Sequence, residues 1–248
     1  MKRYITLLLL LFALTGQAND EVIAQASQHY MNQEFEQAIE LYGQLLASGK
    51  ESAQVYYNLG NAYFKTGNMA QAMLNYERAK LLAPGNEDID FNIRIARQNI
   101  VDNIEPLPQA FFVRWWNGLV NKASADRWAT VSIVFFLVAL VLLAIFFFSQ
   151  FSMVKRITFW FSVVTFAGTI LTFSFASQQK KALNQRTQAI VFAPRVTVKS
   201  SPASTGTDLF LIHEGLKVEI TDSLSTWKEI RIPDGNKGWL PDSTLVRI

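Results

Sequence analysis

Apolar residues in this chain are gathered rather than spread, and their spacing changes from one stretch to the next. A ten-residue apolar run, Ile5–Leu14, follows Lys2 and Arg3 and leads to the small residues Gly16 and Ala18. That layout predicts a secretory signal peptide over residues 1–18, too short for a comfortable span. From Trp128 to Phe148, 21 residues pass without a charge, and 15 of them are Val, Ile, Leu or Phe. Each of those favours insertion at the bilayer centre by about 0.3–0.6 kcal/mol, so a transmembrane helix is expected over 128–148. A second uncharged run predicts another over 157–179, joined to the first by residues 149–156 alone. Beyond Gln188 the period falls to two. "AIVFAP", "RVTVKS", "LKVEITD", "WKEIRI", "KGWLP" and "TLVRI" are separated by Pro, Gly, Asp and Ser, which predicts six short strands and a small β-barrel.

In the second apolar run, Ser162, Thr165, Thr169 and Thr172 share one helical face with Gly168 beside them. Two readings compete. Small and hydroxylated stripes suit close helix contact in lipid, whereas Ser and Thr are also tolerated by bonding back to their own helix. The contact reading is preferred because the first span is close enough to be the partner. Ahead of that span, in residues 104–127, Phe111, Phe112, Trp115, Trp116, Leu119 and Val120 recur at helical spacing. A juxtamembrane helix on the outer membrane surface is expected, with Trp115 and Trp116 at the headgroup level; a short helix packed on the following span is the alternative.

Charge sharpens this picture. The formal net charge is +3, but residues 19–103 hold six cations against eleven anions and residues 104–185 seven against two. The basic excess hugs the apolar segments, and nothing forms a nucleic-acid footprint. Two spans with a short link make a hairpin whose ends emerge on one side. A signal peptide exports residue 19, so Lys155 and Arg156 face the cytoplasm, as the positive-inside rule prefers. Both soluble parts then lie on the side of the membrane away from the cytoplasm.

The chain has no cysteine, which excludes disulfides, thiolate metal sites and thiol nucleophiles. Neither His29 nor His213 has a carboxylate or second histidine at ligand spacing, and no GxxxxGK loop is present. The sequence therefore names no catalytic residue, cofactor or metal ligand, and predicts a protein that is not an enzyme.

Residues 53–86, "AQVYYNLGNAYFKTGNMAQAMLNYERAKLLAPGN", carry the signature of the 34-residue tetratricopeptide repeat (TPR) at Tyr56, Leu59, Gly60, Tyr63, Gly67, Ala72, Tyr76, Ala79 and Pro84. Small Gly60 and Ala72 let two helices approach, Tyr63 and Tyr76 fill the space around them, Gly67 turns the chain and Pro84 ends the second helix. One period earlier, residues 19–52 keep Ala26, Ala38 and Tyr42 but place Gln33 where the turn glycine belongs, a degenerate first repeat. Residues 87–103 read as an amphipathic capping helix, giving a TPR domain over 19–103. Two repeats and a cap bury little core, so this solenoid needs a prop such as the membrane-surface segment or a partner. The concave face of such a repeat is lined by its first helix, which assigns Tyr57, Asn58, Asn61, Phe64 and Lys65, with Asn92 from the cap, to protein binding. An asparagine amide donates to and accepts from an extended peptide backbone. The competing reading makes these asparagines ordinary consensus residues on a solvated face.

Residues 186–248 resemble the bacterial SH3-like domain through "VTVKSSP", "HEGLKVEI", "WKEIRIPDGNKGWLP" and the terminal Ile248, with Trp227 and the pair Gly238-Trp239 carrying most of the likeness. The first loop, "KSSPASTGTD", lacks the aromatics that grip Pro-rich helices, and Trp227 and Trp239 are expected as core or hinge supports. The whole order is then a multi-domain membrane protein: signal peptide, all-α TPR solenoid, juxtamembrane helix, two-helix transmembrane hairpin and small all-β SH3-like barrel. It resembles the BatE-type TPR proteins of the bacterial aerotolerance (Bat) gene cluster. The resemblance implies a membrane-anchored interaction scaffold working beside von Willebrand factor A membrane proteins and a MoxR-type AAA+ ATPase, in stress tolerance or complex maturation. The alternative is an envelope sensor or anchor that binds peptidoglycan through the SH3-like domain.

Overall fold

The structure, a computed structural model, describes residues 21–49, 51–102 and 104–248. The signal peptide expected over 1–18 lies outside the described residues. Two compact units emerge. The first joins the described residues up to Leu82 with Asn86–Pro108 and Arg186–Ile248, and the second comprises Ala83–Gly85 and Gln109–Gln185.

The described residues of the first unit begin with five helices: α1 (residues 21–31), α2 (Phe35–Ala47), α3 (Ala53–Lys65), α4 (Met69–Leu82) and α5 (Glu87–Arg97). Local chemistry sets their ends. The Ser52 hydroxyl accepts from Val55 N at the start of α3, and Asn86 accepts from Asp88 N and Ile89 N at the start of α5. At the close of α3, Gly67 N donates to Phe64 O and Asn68 N to Tyr63 O, with Gly67 at φ 78°, a Schellman turn. One period earlier the same turn recurs on a different residue: Gln33 N donates to Tyr30 O, Glu34 N to His29 O, and Gln33 holds φ 64°. The first repeat thus keeps the backbone path of the second without its glycine. Ala26, Ala38 and Tyr42 are buried, as are their period-mates Gly60, Ala72 and Tyr76. Helix approach at Gly60 is close, since a Cβ there would sit 2.7 Å from two ring carbons of Tyr76.

The same unit holds a seven-stranded antiparallel sheet made of β1 (Gln188–Val191), β2 (Arg195–Lys199), β3 (Asp208–His213), β4 (Lys217–Leu224), β5 (Trp227–Arg231), β6 (Lys237–Pro241) and β7 (Leu245–Arg247), ordered β3-β2-β6-β5-β4-β1-β7. Six of these follow the alternating segments read from sequence. The seventh, β3, was hidden because "DLFLIH" is a continuous apolar run flanked by a loop, with no period-two signal. Register shifts at Val198/Lys199 and Ile220/Asp222 bend the ribbon. Val191, Val198, Ile212, Val218, Ile230 and Leu240, from six successive strands, therefore meet in one buried cluster. Gly238 is needed where β6 passes β2, since a Cβ there would lie 2.5 Å from Val198 Cγ1 and 2.9 Å from Lys199 O. Trp227 and Trp239 are half-buried.

Helix α4 is buried on more than one face, polar Asn75 and Glu77 included. The reason is the sheet: Lys217 Nζ on β4 donates to Glu77 Oε2 at 2.7 Å, and Arg78 Nη2 donates to the Arg247 carbonyl at 2.9 Å. So short a solenoid is expected to lean on the membrane-surface segment or a partner. The sheet supplies one from within the chain, through residues 140 and 169 positions away, a separation no local pattern reveals.

The second unit contains α6 (Phe111–Val120), α7 (Ala125–Phe148) and α8 (Ser152–Gln185). Both α7 and α8 are long and apolar enough to cross a membrane. At 1.5 Å per residue α7 is about 36 Å long, enough for a hydrocarbon core of about 30 Å. The non-helical link is shorter than the eight residues expected: only Ser149, Gln150 and Phe151 intervene, and Lys155 and Arg156 lie in the first turns of α8. The Ser/Thr stripe divides between its two readings. Ser162 Oγ donates across to Ala139 O at 3.2 Å, and Ser132 Oγ returns a bond to Thr169 O at 3.1 Å. Thr165, Thr169 and Thr172 instead donate to carbonyls of their own helix. Gly168 admits the Phe135 ring, whose nearest carbon would lie 3.0 Å from an added Cβ.

Candidate functional site

The inner face of α1, α3 and α5 encloses a cleft of about 320 Å³ lined by Tyr30, Tyr57, Asn61, Phe64, Lys65, Tyr76, Asn92 and Ile95. Beside it lies a smaller one of about 170 Å³ that shares Tyr30 and Asn61 and adds Ser27, Met31, Tyr42 and Asn58. Five of the six residues assigned to protein binding from sequence thus meet in one place, and Asn58 lines the adjoining space. They meet because positions 57, 61, 64 and 65 share a face of α3, while α5 stacks against α4 and turns Asn92 toward them.

At the floor of the larger cleft, four side chains form a closed set. Tyr76 Oη donates to Asn61 Oδ1 at 2.8 Å, Asn92 Nδ2 donates to the same oxygen at 2.8 Å, and Asn92 Nδ2 also donates to Tyr57 Oη at 3.0 Å. Both acceptor sites of Asn61 and both donors of Asn92 are then engaged. Among the described residues nothing pairs with the Asn61 amide as donor or the Asn92 carbonyl as acceptor, and the three bonds hold each in a fixed orientation. Asn58, Asn61 and Asn92 are all half-buried.

Burial pushes the Tyr76 phenol far above its ordinary range, an effect increased by the neighbouring Tyr57 and Tyr30 and opposed by Asn92. Tyr30 is raised as well, first by burial and then by Tyr57 and Tyr42. Both hydroxyls keep their protons, so the tyrosines line the cleft as neutral polar groups. Among the described lining residues of the two spaces Lys65 is the single charged side chain. Such a surface can hold an extended polypeptide, with aromatic walls for a side chain, one donor and one acceptor for a peptide unit, and a cation at the rim.

Sequence reasoning overlooked Tyr30, Ser27 and Met31. Each lies 34 positions before a residue it did name or imply: Phe64, Asn61 and Lys65. Carrying the lining positions back by one period would have found them, despite the missing turn glycine. Tyr76, assigned to the core, is 1% exposed, yet its hydroxyl is the group that orients Asn61.

In the second unit Trp115 is well exposed, as are Phe111 and Phe112, whereas Trp116 is turned onto α8. Its ring meets Phe175 edge-on at 5.0 Å, and its Nε1 donates to Gln178 Oε1 at 2.9 Å. Gln179 Nε2 donates to Val120 O at 3.1 Å and to Asn121 Oδ1 at 2.9 Å. Trp128 Nε1 of α7 donates to the same Val120 carbonyl at 2.8 Å, so the C-terminal end of α6 meets both apolar helices and leaves one aromatic face open.

Each histidine also has a carboxylate that spacing concealed. His29 Nδ1 lies 2.6 Å from Glu34 Oε2, and His213 Nδ1 lies 3.0 Å from Asp102 Oδ1, 111 residues away in sequence. Neither pair gathers a third metal-ligating side chain among the described residues.

No curated protein matches this chain. Residues 23–87, which supply α1 to α4 and most of both clefts, match the tetratricopeptide repeat family, whose repeats mediate binding between proteins.

Proposed function

We propose that this chain is a membrane-anchored scaffold of the bacterial cell envelope whose repeat cleft holds an extended segment of a protein partner. The observation that carries this reading is the oriented pair of Asn61 and Asn92, one offering an uncommitted donor and the other an uncommitted acceptor, between aromatic walls. Residues 19–103 form the binding module, with Tyr57, Asn58, Phe64 and Lys65 completing its surface. Helices α7 and α8 anchor it in the inner membrane. Within the second unit the start of α7 and the end of α8 lie together, since Trp128 and Gln179 both reach the Val120 carbonyl. That arrangement supports emergence of both flanks on one side, here the periplasm, with Lys155 and Arg156 at the cytoplasmic start of α8. Trp115 and Trp116 border the membrane surface. Residues 186–248 are an SH3-like module engaging a second protein, and the layout suits a Bat-type assembly containing von Willebrand factor A membrane proteins and a MoxR-type ATPase.

Photocrosslinking in intact cells from a reactive residue at position 65 tests the cleft. A discrete crosslinked protein is expected, and it should vanish in the double variant Asn61→Ala, Asn92→Ala while the helical melt of the chain is retained. Unchanged crosslinking in a folded double variant would refute the reading. Protease added to spheroplasts tests sidedness, since both flanks should be trimmed.

A further inference from the structure

Between α5 and α6 the chain crosses the sheet as a strap. Among its described residues Ile100, Asp102 and Ile104 are partly buried, while Val101 and Glu105 are exposed. Ile100 sits over Gly215, where an added Cβ would lie 2.6 Å from its Cγ2. Asp102 grips the end of edge strand β3 with both oxygens, Oδ2 accepting from His213 N at 2.5 Å and Oδ1 lying 3.0 Å from His213 Nδ1. Ile104 packs against the buried cluster of the sheet. Farther on, Leu107 N donates to the Pro233 carbonyl at 3.1 Å, and its side chain lies over Gly235. Both glycines have positive φ, at 85° and 94°, and present bare backbone to the strap.

Alternate side chains seated in turn, an acid closing the exposed end of an edge strand and a main-chain bond farther along are the means by which a sheet receives an extended peptide. A connector that only spanned a distance would need none of them. We propose that this face of the C-terminal sheet is a peptide-docking site for segments with an aliphatic, an acidic and an aliphatic residue at alternate positions, and that the chain's own strap occupies it in cis. Because the strap is tethered, it competes at an effective concentration on the order of millimolar, so a free segment of the same pattern binds only when the strap has left. The strap runs directly from the helix bearing Asn92 to α6, which makes it the covalent route between the repeat cleft and the anchor. The docking site itself depends on the sheet alone and stands whether or not the cleft holds a peptide.

The test uses the full chain in detergent micelles and a fluorescent peptide of residues 99–108, followed by anisotropy. Wild-type chain should bind the peptide weakly. Ile104→Asp, which expels the strap, should bind it at least tenfold more tightly, and a peptide with Asn in place of Asp102 should lose most of that gain. Slow hydrogen exchange of the β5 and β6 amides reports that the sheet remains folded. Should Ile104→Asp lose that signal, Asp102→Ala, which places no charge in the core, repeats the measurement. A folded strap-released chain that binds no peptide, or binds a scrambled one equally, overturns the proposal.

Discussion

Asn61 and Asn92, 31 residues apart on different helices, share one hydrogen bond of 2.8 Å that fixes the amide plane of each. Geometry and donation can be separated at this pair. Asn61→Asp keeps an oxygen for Tyr76 Oη and Asn92 Nδ2 and turns the Nδ2 donor into a charged acceptor. The repeat region should stay folded while peptide capture falls about tenfold, the weight of one hydrogen bond of roughly 1.4 kcal/mol. Titration of the captured segment against both proteins measures this.

Gln33 carries a left-handed turn at φ 64° that a glycine carries in the second repeat. A side chain in that conformation costs roughly 1–2 kcal/mol. Gln33→Gly should therefore stabilise the chain by about 1 kcal/mol, the glycine's greater unfolded-state freedom taking back part of the gain. A higher thermal midpoint by calorimetry is the expected result; an unchanged or lower one would show that the turn is unstrained.

Gly60→Ala should do the reverse. Its methyl group would meet the Tyr76 ring, so either the ring or the helix moves, at a cost of about 1–3 kcal/mol. Because the Tyr76 hydroxyl orients Asn61, capture should weaken along with stability. Loss of one without the other would break the proposed link between packing and cleft.

Glu77 is nearly fully buried, and its partner Lys217 shields it from the sheet side. Lys217→Ala leaves that carboxylate without its cation and should cost about 3 kcal/mol, whereas replacing both residues with Met should restore most of the loss. Denaturant melts of the two variants decide the point.

The legibility of these features follows from their range in sequence. A 34-residue period says which face of α3 looks inward, so Tyr57, Asn61, Phe64 and Lys65 were readable, and the matching period of the cap gave Asn92. Tyr30 was masked by the absent glycine at position 33, although the backbone keeps the turn. Packing of α4 on the sheet left no mark, because Glu77 and Arg78 look like ordinary surface charges until Lys217 and the Arg247 carbonyl are brought to them. The seat of the strap leaves no local pattern for the same reason: Asp102 acquires meaning only beside His213.

Alkaline pH gives a further check. The phenol of Tyr76 ionises near 10.0 when unfolded and well above that in the fold, owing first to burial. A folded value raised in this way gives stability that is complete below pH 10.0 and is lost as pH climbs toward the folded value. Unfolding free energy should therefore fall steeply above about pH 10, and the slope should flatten in Tyr76→Phe. Absorbance at the phenolate band should rise together with unfolding rather than ahead of it.

The first unit is interrupted in sequence by residues 109–185, and its closing strands come after that insertion. During synthesis the repeat helices and Ile104 emerge well before the strands against which they rest. A nascent chain paused after α8 carries α4 with Glu77 uncovered and Ile104 without a seat. Ribosome-bound intermediates of that length are the ones a chaperone would have to shelter.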